Sequence, residues 1–145
     1  MSTRALIGFM PKNKNEPLQV AWQWNDGDDL LKLLPDFKNE DDISKLLDIG
    51  VYGGIYDKDD ANMLTEFFLK TINKTLTDTL IKVGELYVFQ EEYHKKSQKE
   101  NTHFSNLHEA SGQDINYIYL FNKEDKKWYY SDDIVTDLSQ LKCLG

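Results

Sequence analysis

The stretch INYIYLFNKEDKKWYYS, residues 115–131, decides the fold class of this chain. Residues 115–122 are rich in branched and aromatic side chains, which favour a β-strand. The polar KEDK run that follows is typical of a turn, and residues 127–131 predict the returning strand. The C-terminal part of the chain is therefore predicted to form an antiparallel hairpin.

A second hairpin is predicted at the N-terminus. Residues 3–10 (TRALIGFM) and 18–24 (LQVAWQW) have strand composition, and a polar loop with a proline at each end separates them. Leu18, Val20 and Trp22 alternate with Gln19, Ala21 and Gln23, which is the pattern of a half-buried strand. The two hairpins are candidates to pair with each other, but the sequence does not set the strand order.

Helices are predicted between the two hairpins. Residues 30–34 form a short helix that Pro35 stops, and Asn39 or Asp41 begins the next one, which Gly50 ends. The longest helix runs from about residue 59 to 77 or beyond, with apolar side chains at four-residue spacing that include Leu64, Phe68, Ile72, Leu76 and Leu80. Asp57 or Asp59 caps it.

The remaining elements complete the predicted fold. Residues 51–56 form a glycine-hinged connection or a short strand, residues 86–89 a strand, and residues 134–141 a last short helix capped by Asp132 or Asp133. Residues 94–113 are polar and predict a long or mobile loop. The order of elements predicts a single α+β domain, with an antiparallel sheet and three to four helices grouped on one face.

Composition sets the broad class of the protein. A chain of 145 residues with 40% hydrophobic and 12% aromatic residues can bury one core. No apolar run approaches the roughly 20 residues that span a membrane. Cys143 is the only cysteine, so the chain cannot form an internal disulfide, and we expect a cytoplasmic protein.

Negative charge is concentrated in one segment. Residues 25–60 contain eleven carboxylates and four lysines, so this segment carries −7 of the formal net charge of −8. Such a field repels nucleic acid and attracts basic protein surfaces. The charge therefore indicates a partner class, although it names no reaction.

The sequence predicts no catalytic site, no metal site and no cofactor. The run NDGDD at residues 25–29 resembles part of a calcium loop, but its glycine comes too early and no glutamate follows at the required distance. Helix capping explains the acidic clusters better. His94, His103 and His108 lack the spacing of zinc ligands, and Cys143 near the end of the chain lacks a fixed base.

A nucleic-acid or nucleotide-binding module is the alternative hypothesis. The aromatic residues of the C-terminal hairpin could stack on bases, and the lysines between Lys95 and Lys99 form a small basic patch. The net charge of −8 opposes this function, so nucleic acid is the less favoured partner.

Several short motifs, in this order along the chain, resemble a group of small phage and prophage proteins of unknown function. They are STRALIG at residues 2–8, WNDG at 24–27, and YIYLF at 117–121 followed by KWYY at 127–130. Ile49-Gly50 is similar to the helix end of that group. Gln23 departs from the pattern, since a histidine is expected there. The resemblance implies a mobile-element origin and no particular reaction.

These observations lead to one functional hypothesis. We expect a non-enzymatic, phage-type accessory protein that binds a basic host protein, such as a nucleic-acid-handling defence complex, in the manner of an anti-CRISPR inhibitor. Charge would speed the encounter, and buried aromatic side chains would supply affinity. The predicted partner-binding residues are Asp26, Asp28, Asp29, Asp41, Asp42, Asp59 and Asp60, with Trp24 as an anchor.

Overall fold

A computed structural model describes residues 3–72, 80–96 and 102–144. The strands are β1 (Ala5–Phe9), β2 (Leu18–Gln23), β3 (Val51–Tyr52), β4 (Gly54–Tyr56), β5 (Leu80–Val83), β6 (Leu86–Phe89), β7 (His103–Phe104), β8 (Tyr117–Asn122), β9 (Lys127–Ser131) and β10 (Lys142–Cys143). The α-helices are α1 (Leu30–Leu33), α2 (Glu40–Ile49), α3 (Lys58–Ile72), α4 (Glu92–Lys96) and α5 (Leu107–Ser111). These elements confirm the α+β class.

The larger sheet joins the two predicted hairpins. Its order is β10-β9-β8-β1-β2-β3, and β7 also pairs with β2. The pairs β1–β2 and β8–β9 are antiparallel, which confirms both hairpins. The pairs β1–β8 and β2–β3 are parallel, so the sheet is mixed and the prediction of an antiparallel sheet holds only in part. Parallel neighbours need long crossovers, and the chain between β1 and β8 provides one.

The second sheet has the order β4-β6-β5. Its hairpin β5–β6 was not predicted, because the apolar residues before it follow helical spacing. Leu80, the last residue of the predicted helical stripe, instead begins β5 and pairs with Phe89 of β6. Gly84 makes the turn between these strands with a φ of 60°, a conformation that favours glycine. The predicted end of the long helix near residue 77 lies outside the described residues.

Two hydrophobic clusters cover the larger sheet, one on each face. Successive residues of β1 alternate between them: Ile7 packs with Leu46 of α2, and Leu6 packs with Leu107 of α5. The prediction that the helices group on one face is therefore not confirmed. Coverage of both faces also explains why Gln23, predicted on the polar side of β2, is buried at 1% exposure.

The prediction of a long or mobile loop at residues 94–113 is wrong for the described residues, which include helices and a strand. They include the end of α4, β7 and α5, while residues 97–101 lie outside the described part of the chain. Phe104 and Leu107 are buried at 7% and 0% exposure. Few apolar residues are needed to hold this segment in place, because β7 pairs with Leu18 and Gln19 of β2.

The helix ends show which polar residues act as caps. The side chain of Asn39 accepts the Asp42 N–H at the start of α2, and Asp57 accepts the Asp60 N–H at the start of α3. Both caps are among the predicted alternatives. The predicted last helix is wrong: a 3-10 turn, Leu138–Gln140, occupies that region, and Asp137 caps it. No helix in the described part of the chain is long and apolar enough to cross a membrane.

Candidate partner-binding groove

The turn that carries the first acidic cluster is held tightly against the larger sheet. Gly27 donates its N–H to the Thr3 carbonyl at 2.9 Å, and its own carbonyl accepts the Tyr119 hydroxyl at 2.8 Å. A Cβ atom at Gly27 would lie 2.9 Å from the Ala5 side chain, so a larger residue would push the turn away from β1. The larger sheet therefore fixes the position of the backbone that carries the neighbouring carboxylates.

The carboxylates of this turn are exposed and do not serve as helix caps. A 3-10 turn, Gly27–Asp29, precedes α1. Within this described segment, neither Asp26 nor Asp29 forms a side-chain cap hydrogen bond. A side-chain cap is therefore present at Asp57 but not at Asp26 or Asp29.

An open groove lined by acidic and apolar side chains lies between this turn region and the start of α3. We call it the acidic groove, and its volume is about 500 Å³. Asp29, Lys32 and Leu33 line it from the α1 side, and Ile55, Tyr56, Asp57, Asp60, Met63 and Leu64 line it from β4 and α3. Three carboxylates face one ammonium group in this lining, so the groove has a negative formal charge.

The electrostatics of Tyr56 show that the acids of the turn before α1 and of the first turn of α3 act on the same side chain. Burial raises the pKa of the Tyr56 hydroxyl above its usual value. The negative charges of Asp26, Asp29 and Asp60 raise the same pKa further. Burial likewise raises the pKa of Asp26, and the charges of Asp29 and Asp28 add to this effect. Carboxylates far apart in the sequence therefore act on the same site.

The structure does not bring all of the predicted residues into this groove. Asp29 and Asp60 line it, while Asp59 is exposed on the first turn of α3 outside its lining. Asp41 and Asp42 lie on the first turn of α2. Asp42 lines a separate pocket of about 230 Å³ that also contains Gly84. The predicted acidic face is thus divided between different surfaces.

Trp24 lies in an aromatic cluster and not in the acidic groove. Its ring centroid is 4.9 Å from that of His94, edge to face, and 5.6 Å from that of Tyr93. It is half-buried and also packs against the hydrophobic cluster that contains Trp22. Its role as a partner anchor remains a prediction.

His94 is a fully buried imidazole within that aromatic cluster, at 0% exposure. Its Nδ1 accepts the Glu91 backbone N–H at 2.9 Å, so the neutral ring carries its proton on Nε2. Nε2 has no hydrogen-bond partner within the described residues. Burial lowers the pKa of the imidazole, and the nearby charge of Glu91 opposes this only in part.

We expect the pH dependence of stability to report on His94. Because the folded-state pKa lies below the ordinary value of about 6.5, the neutral form stabilises the fold above that pH. This contribution is lost as the pH falls below about 6.5 toward the folded-state pKa. Urea unfolding of the wild type and of His94→Asn on both sides of that pH measures it. The pH dependence in this window should shrink in His94→Asn and persist in His103→Asn.

The same substitution at two buried tyrosines should have different effects on stability. Tyr119→Phe removes the hydrogen bond to the Gly27 carbonyl and should lower the free energy of unfolding by about 1–2 kcal/mol. The Tyr52 hydroxyl is buried without a partner among the described residues. Tyr52→Phe should therefore leave stability unchanged or raise it by up to about 1 kcal/mol. Equal losses in both variants, measured by urea unfolding, would contradict this assignment.

The residues of the alternative hypothesis, nucleic-acid binding, differ in their exposure. Phe121 and Trp128 are buried at 0% and 2% exposure, so their rings face the core. Lys95 forms an ion pair with Glu92 at 3.2 Å. Lys99 lies outside the described residues. Three tyrosines of the hairpin are partly exposed, namely Tyr117, Tyr129 and Tyr130. Nucleic-acid binding through this surface therefore stays a prediction.

The exposed apolar side chains of α3 at and beside the groove were not identified from the sequence. Met63 is 68% exposed and Phe67 is 58% exposed, although both were expected to belong to a helix with one buried stripe. Met63 and Phe67 are four residues apart, so they form a second apolar row on α3. That spacing was the available signal.

The described residues contain no group of three or more histidine, cysteine or acidic side chains that could hold a metal ion. The resemblance to phage proteins stays a prediction. No protein-family model, curated protein or solved structure matches this chain.

Proposed function

We propose that this protein is a non-enzymatic, phage-type accessory protein that binds a basic host protein through the acidic groove. The observation that carries the proposal is the lining of that groove, which combines three carboxylates with four apolar side chains: Asp29, Asp57 and Asp60 with Leu33, Ile55, Met63 and Leu64. Lysine and arginine surfaces would be drawn to this field. The apolar side chains of the lining would then add affinity that charge alone does not provide.

A nucleic-acid-handling defence complex in the host cytoplasm is the target class that we propose. Such complexes line their channels with lysine and arginine to hold phosphates. A chain with a formal net charge of −8 would compete with nucleic acid for the same channel. The protein would then act as an anti-CRISPR-like inhibitor by occupying the channel, with no chemical step.

A pull-down tests this function. The tagged full-length chain is exposed to a host-like lysate at low and at raised salt, and mass spectrometry identifies the retained proteins. A basic nucleic-acid-binding protein that raised salt releases is the expected result, because salt screens charge pairs at a surface. Retention of nucleic acid without protein, or of partners indifferent to salt, would contradict the proposal.

A further inference from the structure

The exposed apolar row of α3 continues directly from the acidic groove. Met63 lines the groove, and Phe67 lies one helical turn further along the same side. Phe67 is backed by Phe68, with ring centroids 5.8 Å apart, and Phe68 in turn contacts Phe89 at 5.9 Å. The row is therefore supported by rings that connect to the second sheet.

This surface changes character along α3. Asp60 stands at the N-terminal end, and Met63 and Phe67 follow at helical spacing toward the C-terminal end. A binding molecule that follows the helix would meet negative charge first and apolar side chains next. An occupant that satisfies both must itself carry positive charge and apolar groups side by side.

We infer that the acidic groove and the row of Met63 and Phe67 bind a basic amphipathic segment of the partner protein. This inference rests on the proposed function and names the part of the partner that is recognised. A lysine or arginine would place its charge among Asp29 and Asp60 and its methylene stem along Met63. Its apolar neighbours would cover Phe67.

Size and charge favour this occupant over the alternatives. A volume of about 500 Å³ lies within the range of roughly 300–1,000 Å³ that buries a drug-sized ligand, which corresponds to a few side chains. In a symmetric contact with a second copy of this chain, the carboxylates of the two copies would repel each other. Nucleic acid would meet the same repulsion.

A peptide-display selection tests the inference, with the full chain as bait and random peptides as probes. We expect enrichment of peptides that combine lysine or arginine with large apolar residues. Their affinity should fall about tenfold or more for Met63→Ser/Phe67→Ser, as for loss of interface anchors. The control Leu69→Ser/Ile134→Ser removes two side chains of similar exposure, 51% and 55%, and should bind as the wild type does.

The outcomes separate this inference from the proposed function. Enrichment of basic peptides without apolar residues, indifferent to Met63→Ser/Phe67→Ser, would overturn the inference and leave charge-based binding standing. Enrichment of acidic or neutral peptides would overturn both. No enrichment would overturn the inference alone, because salt-sensitive capture of a folded basic protein tests the function independently.

Discussion

The variant Asp29→Lys/Asp60→Lys should weaken binding of the captured basic partner about 100-fold, or about 2.7 kcal/mol in binding free energy. Both carboxylates line the acidic groove, so reversal replaces attraction by repulsion at the site itself. Close charge pairs across an interface contribute roughly 1.5–7 kcal/mol each, which makes this a moderate expectation. Asp57 is left unchanged because its carboxylate caps α3.

The matched control for this variant is Glu124→Lys/Asp132→Lys. Both control residues are exposed and lie outside the groove lining. Each double variant changes the formal net charge from −8 to −4, so an effect of overall charge would appear equally in both. Calorimetric titration with the captured partner measures the affinities. Equal weakening in the two variants would mean that the groove has no special role.

The salt dependence of binding gives a second measure from the same variants. Attraction between exposed charges weakens as salt rises, so wild-type affinity should fall with salt. Asp29→Lys/Asp60→Lys should show a flatter salt dependence, because the charges responsible are reversed. An unchanged affinity and an unchanged salt dependence would together rule out the acidic groove as the binding site. A melting curve checks that the variant remains folded.

The second large effect is expected at Trp128, whose replacement by alanine should cost about 4 kcal/mol of stability. Trp128 is 2% exposed, and its ring packs edge to face on Phe121 at 5.2 Å. Its indole N–H donates to the Phe37 carbonyl at 2.7 Å. Removing the side chain leaves a cavity and takes away the partner of that carbonyl. The melting temperature should fall by on the order of 10 °C.

The control for Trp128 is its exposed neighbour Lys127, changed to alanine. Both residues lie on β9, but the Lys127 side chain faces solvent, so Lys127→Ala should change stability by less than about 0.5 kcal/mol. Urea unfolding of the two variants gives the comparison. A loss of less than about 1 kcal/mol in Trp128→Ala would contradict the buried position of the indole, since core truncations of this size cost far more.

Features that depend on neighbours in the chain were predictable from the sequence. Both hairpins of the larger sheet and the caps at Asn39 and Asp57 follow from local turn and capping chemistry. The hairpin around Gly84 was missed because Leu76 and Leu80 continue a helical spacing, and spacing alone cannot exclude a strand. Strand pairing overrode that local preference.

The candidate site shows the same division. The excess of acids in residues 25–60 is visible in the sequence, and it indicates the sign of the partner's charge. Nothing in the sequence distinguishes Asp29, Asp42 and Asp60 from one another. The fold places Asp29 and Asp60 on one groove and Asp42 on another pocket. Such grouping depends on contacts between distant segments, which periodicity does not encode.

By itself, the sequence determined the α+β class, the two hairpins β1–β2 and β8–β9, the main helix starts and the location of the negative charge. These properties follow from side-chain type and from spacing over a few residues. Only the tertiary structure decided that β1 and β8 pair in parallel and that Met63 stays exposed beside Asp60. The reason is physical: such arrangements are chosen by packing of the whole chain, in which each segment is placed by partners far away in the sequence.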